Sequence, residues 1–159
     1  MATHPAIAHS TFVIERTYRA SPRAVFKAFA DVDLKRQWFG CVDDWTVNEH
    51  TLDFRVGGRE VWQGGPPSGP PHRNETVYHD IEANARIVWS YTMAVGDKRI
   101  SASLATIELK RDGSRTRLTF TEQGAYFGGD ADARDRERGT LDLLNSLGSF
   151  LNESDDATA

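Results

Sequence analysis

The chain has 159 residues and 17.7 kDa, with 39% hydrophobic and 26% charged residues, which suits one globular domain over 1–159 with an ordered core of about 10–152 and flexible ends. Nineteen basic against 23 acidic side chains leave a net charge of -4 and a pI near 5.7, so the electrostatic footprint of a nucleic-acid partner is missing. Cys41 is the single cysteine, which excludes an intramolecular disulfide framework and a multi-cysteine zinc site; MATHPAIAHSTF lacks the basic and apolar regions of a leader, and no apolar run approaches roughly 18 residues, so a cytoplasmic chain without a membrane span is expected.

Residues 10–19, STFVIERTYR, alternate, with Phe12, Ile14, Arg16 and Tyr18 on one side, and read as a strand. Ser21-Pro22 is a helix start, followed by an apolar face of Val25, Phe26 and Phe29. Asp31 caps a second short helix, DLKRQWF, with Leu34 and Trp38 four apart and Gly40 as its left-handed stop. From residue 45 the period becomes two, and WTVNEHTLDFRV meets REVWQ across Gly57-Gly58 as a hairpin. The stretch 64–73, GGPPSGPPHR, holds four of the six prolines and predicts an exposed loop that can serve as a lid. Four more strands follow, at NETVYHDIE, RIVWSYTMAV, RISASLATIELK and SRTRLTFTEQG, with connections short enough for antiparallel neighbours. The last segment, DADARDRERGTLDLLNSLGSFLNE, carries an apolar stripe of Thr140, Leu143, Leu144, Leu147, Phe150 and Leu151 and predicts a long amphipathic helix, with the acidic tail ESDDATA fraying.

The matching runs ERTYRASPRAVFKAF, LKRQWFG, DFRVGGR, Tyr78 to Ile81 leading to RIVW, TRLTFTEQG and GTLDLL cover almost everything from Phe12 to Leu151. In these runs the chain resembles the activator of heat-shock protein 90 ATPase homologue family, related to that activator's C-terminal domain, within the START, SRPBCC or birch-pollen-allergen-like superfamily. The resemblance implies an α+β helix-grip fold: a curved seven-stranded antiparallel sheet around a long C-terminal helix, with two short helices after the first strand. Departures are Gly139-Thr140 where family members often carry Gly-Trp, Ala83-Asn84 in place of a Pro-Pro pair, and Asp80 where glutamate is usual. The missing ring on the last helix implies a wider or differently shaped cavity.

Ile87, Trp89, Tyr91 and Met93 share one strand face, which is either cavity wall or ordinary core under the last helix. The small Gly139, Ser146 and Gly148 on that helix favour a cavity. The expected ligand-binding set is Trp38, Phe39, Trp62, Tyr78, Trp89, Tyr91, Met93, Phe120, Tyr126, Phe127, Leu143, Leu144 and Leu147. Trp38-Phe39 and Tyr126-Phe127 either line an entrance or pin short elements to the sheet, and parity does not decide between Trp62 and Val61. Arg16, Asp80 and Glu122 are the polar cavity candidates; Arg16 and Glu122 are expected to pair across the seam of the first and last strands, because an unpaired buried charge is costly.

Nucleotide-loop, nucleophile-elbow and histidine metal motifs are absent, so neither metal nor cofactor is expected and no catalytic residue is assigned. His50, His79, Asp80 and Glu122 are the groups that desolvation would fit for acid–base chemistry, while Cys41 has no base in view. Three functions follow. The first is binding of a small hydrophobic ligand, a lipid or polyketide-like aromatic, between sheet and C-terminal helix. The second is the co-chaperone role implied by the family's name, with a chaperone as partner; against it, the eukaryotic activators carry a separate N-terminal chaperone-binding domain. The third is a cofactor-free cyclase or hydrolase-like enzyme in the same cavity. Unpaired sheet edges and apolar residues near the entrance are compatible with a homodimer.

Overall fold

The computed structural model describes residues 6–158, and side chains as far as 152; of the ends expected to be flexible, 1–5 and 159 lie outside the described residues. A single seven-stranded sheet has the order β1-β7-β6-β5-β4-β3-β2, antiparallel throughout. Its strands are β1 (Ala8–Tyr18), β2 (Thr46–Leu52), β3 (Arg59–Gly65), β4 (His72–Glu82), β5 (Arg86–Val95), β6 (Lys98–Asp112) and β7 (Arg115–Tyr126). With helices α1 (Pro22–Ala30), α2 (Val32–Lys35) and α3 (Asp130–Thr158), this is the α+β helix-grip fold expected from sequence. No helix is long and apolar enough to cross a membrane among the described residues.

Local chemistry sets the two short helices. The Ser21 Oγ accepts the Ala24 N–H at 3.2 Å with Pro22 inside the first turn, and Asp31 both ends α1 and caps α2, its carboxylate accepting the N–H groups of Asp33 and Leu34. The helix stops at Lys35, so Trp38 sits in the turn beyond it and donates its indole N–H to the Ala28 carbonyl at 3.1 Å. Gly40 then takes φ +72°, and the Trp62 ring lies where a side chain would stand: a Cβ at residue 40 would come within 2.5 Å of it.

Two connections and the C-terminal tail differ from the sequence expectation: the 64–73 stretch is a loop only over 66–71, because Gly64 and Gly65 end β3 while His72 and Arg73 start β4. β2 and β3 are joined by a loop over 53–58, closed by the Asp53 N–H to the Arg59 carbonyl, instead of a tight Gly57-Gly58 turn; of the two glycines only Gly57 has a positive φ. The acidic tail, expected to fray, continues α3 through Thr158.

Burial follows the strand period. The inward row of β6 is Ser101, Ser103, Ala105, Ile107 and Leu109, small at one end and large at the other. At the large end Ile87, Ile107, Leu118, Leu144 and Leu147 close a solid core with Val25 of α1. At the small end the sheet and α3 do not fill the space between them, and that space is the site.

Candidate functional site

Between the sheet and α3 lies a cavity of about 690 Å³. Its wall is mostly aromatic and aliphatic: Phe29, Trp38, Phe39, Trp45, Trp62, Trp89, Met93, Val95, Ile100, Phe120, Leu143 and Leu144, with Tyr91 and Tyr126. The polar groups on its lining are Lys35, Glu60, His72, Asn74, Thr76, Lys98, Asp132, Asp135, Arg136 and Thr140. β5 supplies Trp89, Tyr91 and Met93 at every second residue, and α3 supplies Arg136, Thr140, Leu143 and Leu144 along one face.

Two buried polar clusters border this space. In the first, Glu60 of β3 is 4% exposed and its carboxylate accepts from Lys35 Nζ (2.7 Å) and the Tyr78 hydroxyl (2.6 Å), with His50 Nε2 at 2.7 Å. Burial pushes the Glu60 carboxyl up, but the Lys35 ammonium and the hydrogen bonds from His50, Lys35 and Tyr78 outweigh it and hold it down at about 2. It is an anion at neutral pH. His50 Nδ1 is buried with no hydrogen-bond partner among the described residues.

The second cluster surrounds Glu122 of β7, whose side chain is 0% exposed. The Tyr91 hydroxyl donates to Oε1 at 2.7 Å, while Ser103 Oγ (3.0 Å) and the Tyr126 hydroxyl (2.9 Å) donate to Oε2. Gly124, between Glu122 and Tyr126 on the strand, makes room for this: a Cβ there would lie 2.6 Å from the Tyr126 oxygen. Arg136 closes the cluster from α3, with Nη1 3.6 Å from Glu122 Oε2. Burial first, and the Glu122 carboxylate second, push the Tyr91 hydroxyl well above its ordinary value, so it stays a protonated donor.

Of the residues singled out from sequence, Trp38, Phe39, Trp62, Trp89, Tyr91, Met93, Phe120, Tyr126, Leu143 and Leu144 line the cavity. Trp62, not Val61, is the inward residue of its strand. Tyr78 is 3% exposed and lies behind the wall, tied to Glu60; Leu147 is fully buried in the solid core; Phe127 is half-buried just past β7 and is not on the lining.

The Arg16–Glu122 pair does not form. β1 and β7 are neighbours, but the register sets Phe12 opposite Glu122 and Arg16 opposite Leu118, roughly 13 Å along the strand. Arg16 instead donates to the Asn145 Oδ1 of α3 at 3.0 Å and to the Glu15 carbonyl. Asp80 is also outside the site. A bulge between Tyr78 and Asp80 reverses the side-chain alternation, so Tyr78 faces inward while Asp80 pairs with the exposed Arg86. His79 is exposed against Ser90 Oγ, and the exposed Cys41 has its thiol pushed up by partial burial.

Sequence reasoning missed Lys35, Glu60 and Arg136. Glu60 shares the strand parity of Trp62, so fixing that parity would have exposed it, and Arg136 lies one helical turn before Thr140 on the same stripe. Lys35 was hidden by the apolar Leu34–Trp38 spacing. Among the described residues no group of three or more His, Cys, Asp or Glu side chains is placed to hold a metal ion.

Comparison with known proteins places this architecture. The family model described as Activator of Hsp90 ATPase homolog 1-like protein matches residues 19–152. A crystal structure of a Rhizobium loti protein is 48% identical, covering 92% of this chain and 100% of that one with a TM-score of 0.85. A Rhizobium leguminosarum protein is 39% identical over 93% of this chain and 97% of its own, with a TM-score of 0.88. A Chromobacterium violaceum protein at 25% identity covers 89% of this chain and 96% of its own, with a TM-score of 0.72. No curated protein matches the sequence.

Proposed function

The chain belongs to the Activator of Hsp90 ATPase homolog 1-like family, and we propose that this member binds a small hydrophobic molecule, of the lipid or polyketide-like aromatic kind, between its sheet and α3. The observation that carries this is the cavity itself: about 690 Å³, within the range of small-molecule sites, with a wall that is mostly aromatic and aliphatic and polar side chains set among it. Binding energy would come from apolar surface leaving water, about 25 cal/mol per Å². Trp38, Phe39, Trp62, Trp89, Met93, Phe120, Leu143 and Leu144 supply that surface, and Tyr91 and Tyr126 add rings whose hydroxyls are already committed to Glu122.

The test is a thermal-shift screen of the purified protein against fatty acids, sterols and polycyclic aromatic ketones and phenols, followed by tryptophan fluorescence titration. A ligand present at about 100 times its Kd adds about 2.7 kcal/mol, or roughly 5–10 °C for a domain of this size. A chemically coherent set of such shifts, lost in a folded Trp89→Ala variant, is the expected result. A flat screen overturns the reading and directs the search to a protein partner, beginning with the chaperone in the family's description.

A further inference from the structure

We infer that Arg136 determines specificity at this cavity, and that with Glu122 it selects a ligand bearing an uncharged oxygen acceptor, a ketone carbonyl or phenol, over one bearing a carboxylate. The inference rests on the ligand-binding reading above.

Arg136 is an unusual wall for an apolar cavity. Its side chain is only 12% exposed, and its guanidinium lies over the rings of Tyr91 and Tyr126, 5.4 and 5.5 Å from their centroids. Nη1 donates to the Tyr91 hydroxyl at 3.0 Å and Nη2 to Ser101 Oγ at 2.7 Å. A guanidinium carries five N–H groups in a rigid fork, so these bonds among the described residues leave donors available. The stacking and the two hydrogen bonds fix the group in place before any ligand arrives, which lowers the entropy lost on binding.

Its positive charge, by contrast, is already matched. The Glu122 carboxylate stands 3.6 Å from Nη1, fully buried and held by Tyr91, Ser103 and Tyr126. The other charged groups on the lining give an incoming anion no spare cation at depth. Lys35 is bound to Glu60 at 2.7 Å, Lys98 is exposed, and Asp132 and Asp135 add negative charge from the same helix as Arg136. A ligand carboxylate at Arg136 would therefore share one cation with Glu122 in a water-poor site. A neutral oxygen accepts a charge-assisted hydrogen bond there without adding charge.

Three probes with one ring system separate the possibilities: fluorene, 2-acetylfluorene and fluorene-2-carboxylate, titrated by tryptophan fluorescence at pH 7.5. In the unaltered protein the ketone should bind roughly tenfold tighter than either of the others, the size expected of one charge-assisted hydrogen bond. In Arg136→Met/Glu122→Gln, which removes both charges together and so leaves neither one buried alone, the ketone-to-fluorene ratio should fall to about one. In Glu122→Gln the carboxylate should gain roughly tenfold, because Arg136 is then uncompensated. Circular dichroism and a cooperative melt certify each variant. A carboxylate that binds the unaltered protein as tightly as the ketone, or a ketone preference that survives the double variant, overturns the inference and leaves the cavity reading standing. Binding of none of the three probes also overturns the inference, while the cavity reading falls only if the broad thermal-shift screen is flat as well.

Discussion

Lys35→Met removes the ammonium from the first buried cluster and leaves the Glu60 carboxylate, 5% exposed in its side chain, with only His50 and Tyr78. Breaking a buried pair from one side costs about 3–5 kcal/mol, and the two remaining partners place the expected loss at the lower end, about 3 kcal/mol at pH 7. The direction of the Glu60 titration agrees: against burial, the Lys35 ammonium and the hydrogen bonds from His50, Lys35 and Tyr78 hold the carboxyl at about 2, below its ordinary 4.5. A depressed carboxyl stabilises the fold fully above its ordinary value and loses that contribution as pH falls through the folded value, here between about 4.5 and about 2. Without Lys35 its charge and hydrogen bond no longer hold the carboxyl down, the carboxyl rises towards its ordinary value, and acidification removes less of this contribution. Urea unfolding followed by tryptophan fluorescence at pH 7, 4.5 and 2.5 should therefore show a gap of about 3 kcal/mol between the two proteins at neutral pH that closes towards the acid end. A gap of the same size at every pH would refute the assignment of Glu60 as the stabilising anion.

Gly40→Ala places a Cβ against the Trp62 ring in a left-handed backbone, and should cost about 2 kcal/mol or more, read as a lowered Tm and an altered tryptophan emission spectrum. Asp80→Asn breaks only the exposed Asp80–Arg86 pair, and both its melt and its ligand titrations should be indistinguishable from those of the unaltered protein.

The sequence made the fold legible wherever one periodicity ruled a segment. Alternation in β1, β5 and β6, the Ser21-Pro22 start of α1 and the leucine stripe of α3 all correspond to what is observed. The apolar part of the site was readable for the same reason, since Trp89, Tyr91 and Met93 share a face by parity alone. Its polar part was not. Whether Glu60 or Val61 points inward depends on the phase of β3, and whether Asp80 points inward depends on a bulge at His79, which no alternation pattern announces. Arg16 and Glu122 do lie on neighbouring strands with inward parity, but parity leaves the register open, and the observed register sets them four residues apart. Charged residues on an otherwise apolar stripe, such as Arg136 and Lys35, read as helix ends until the partner strand is known.

Gly139 gives the most direct access to the central claim, because it lines the cavity and a Cβ there meets nothing within 4 Å. Gly139→Leu should place its side chain in that open space, with helix propensity raising stability by up to about 1 kcal/mol. The decisive measurement is calorimetric titration of the strongest screening ligand into the unaltered protein and into this variant. Binding at one site in the first, weakened tenfold or more in the second without any fall in Tm, is the predicted result. Equal affinity in both proteins would contradict a ligand site beneath α3.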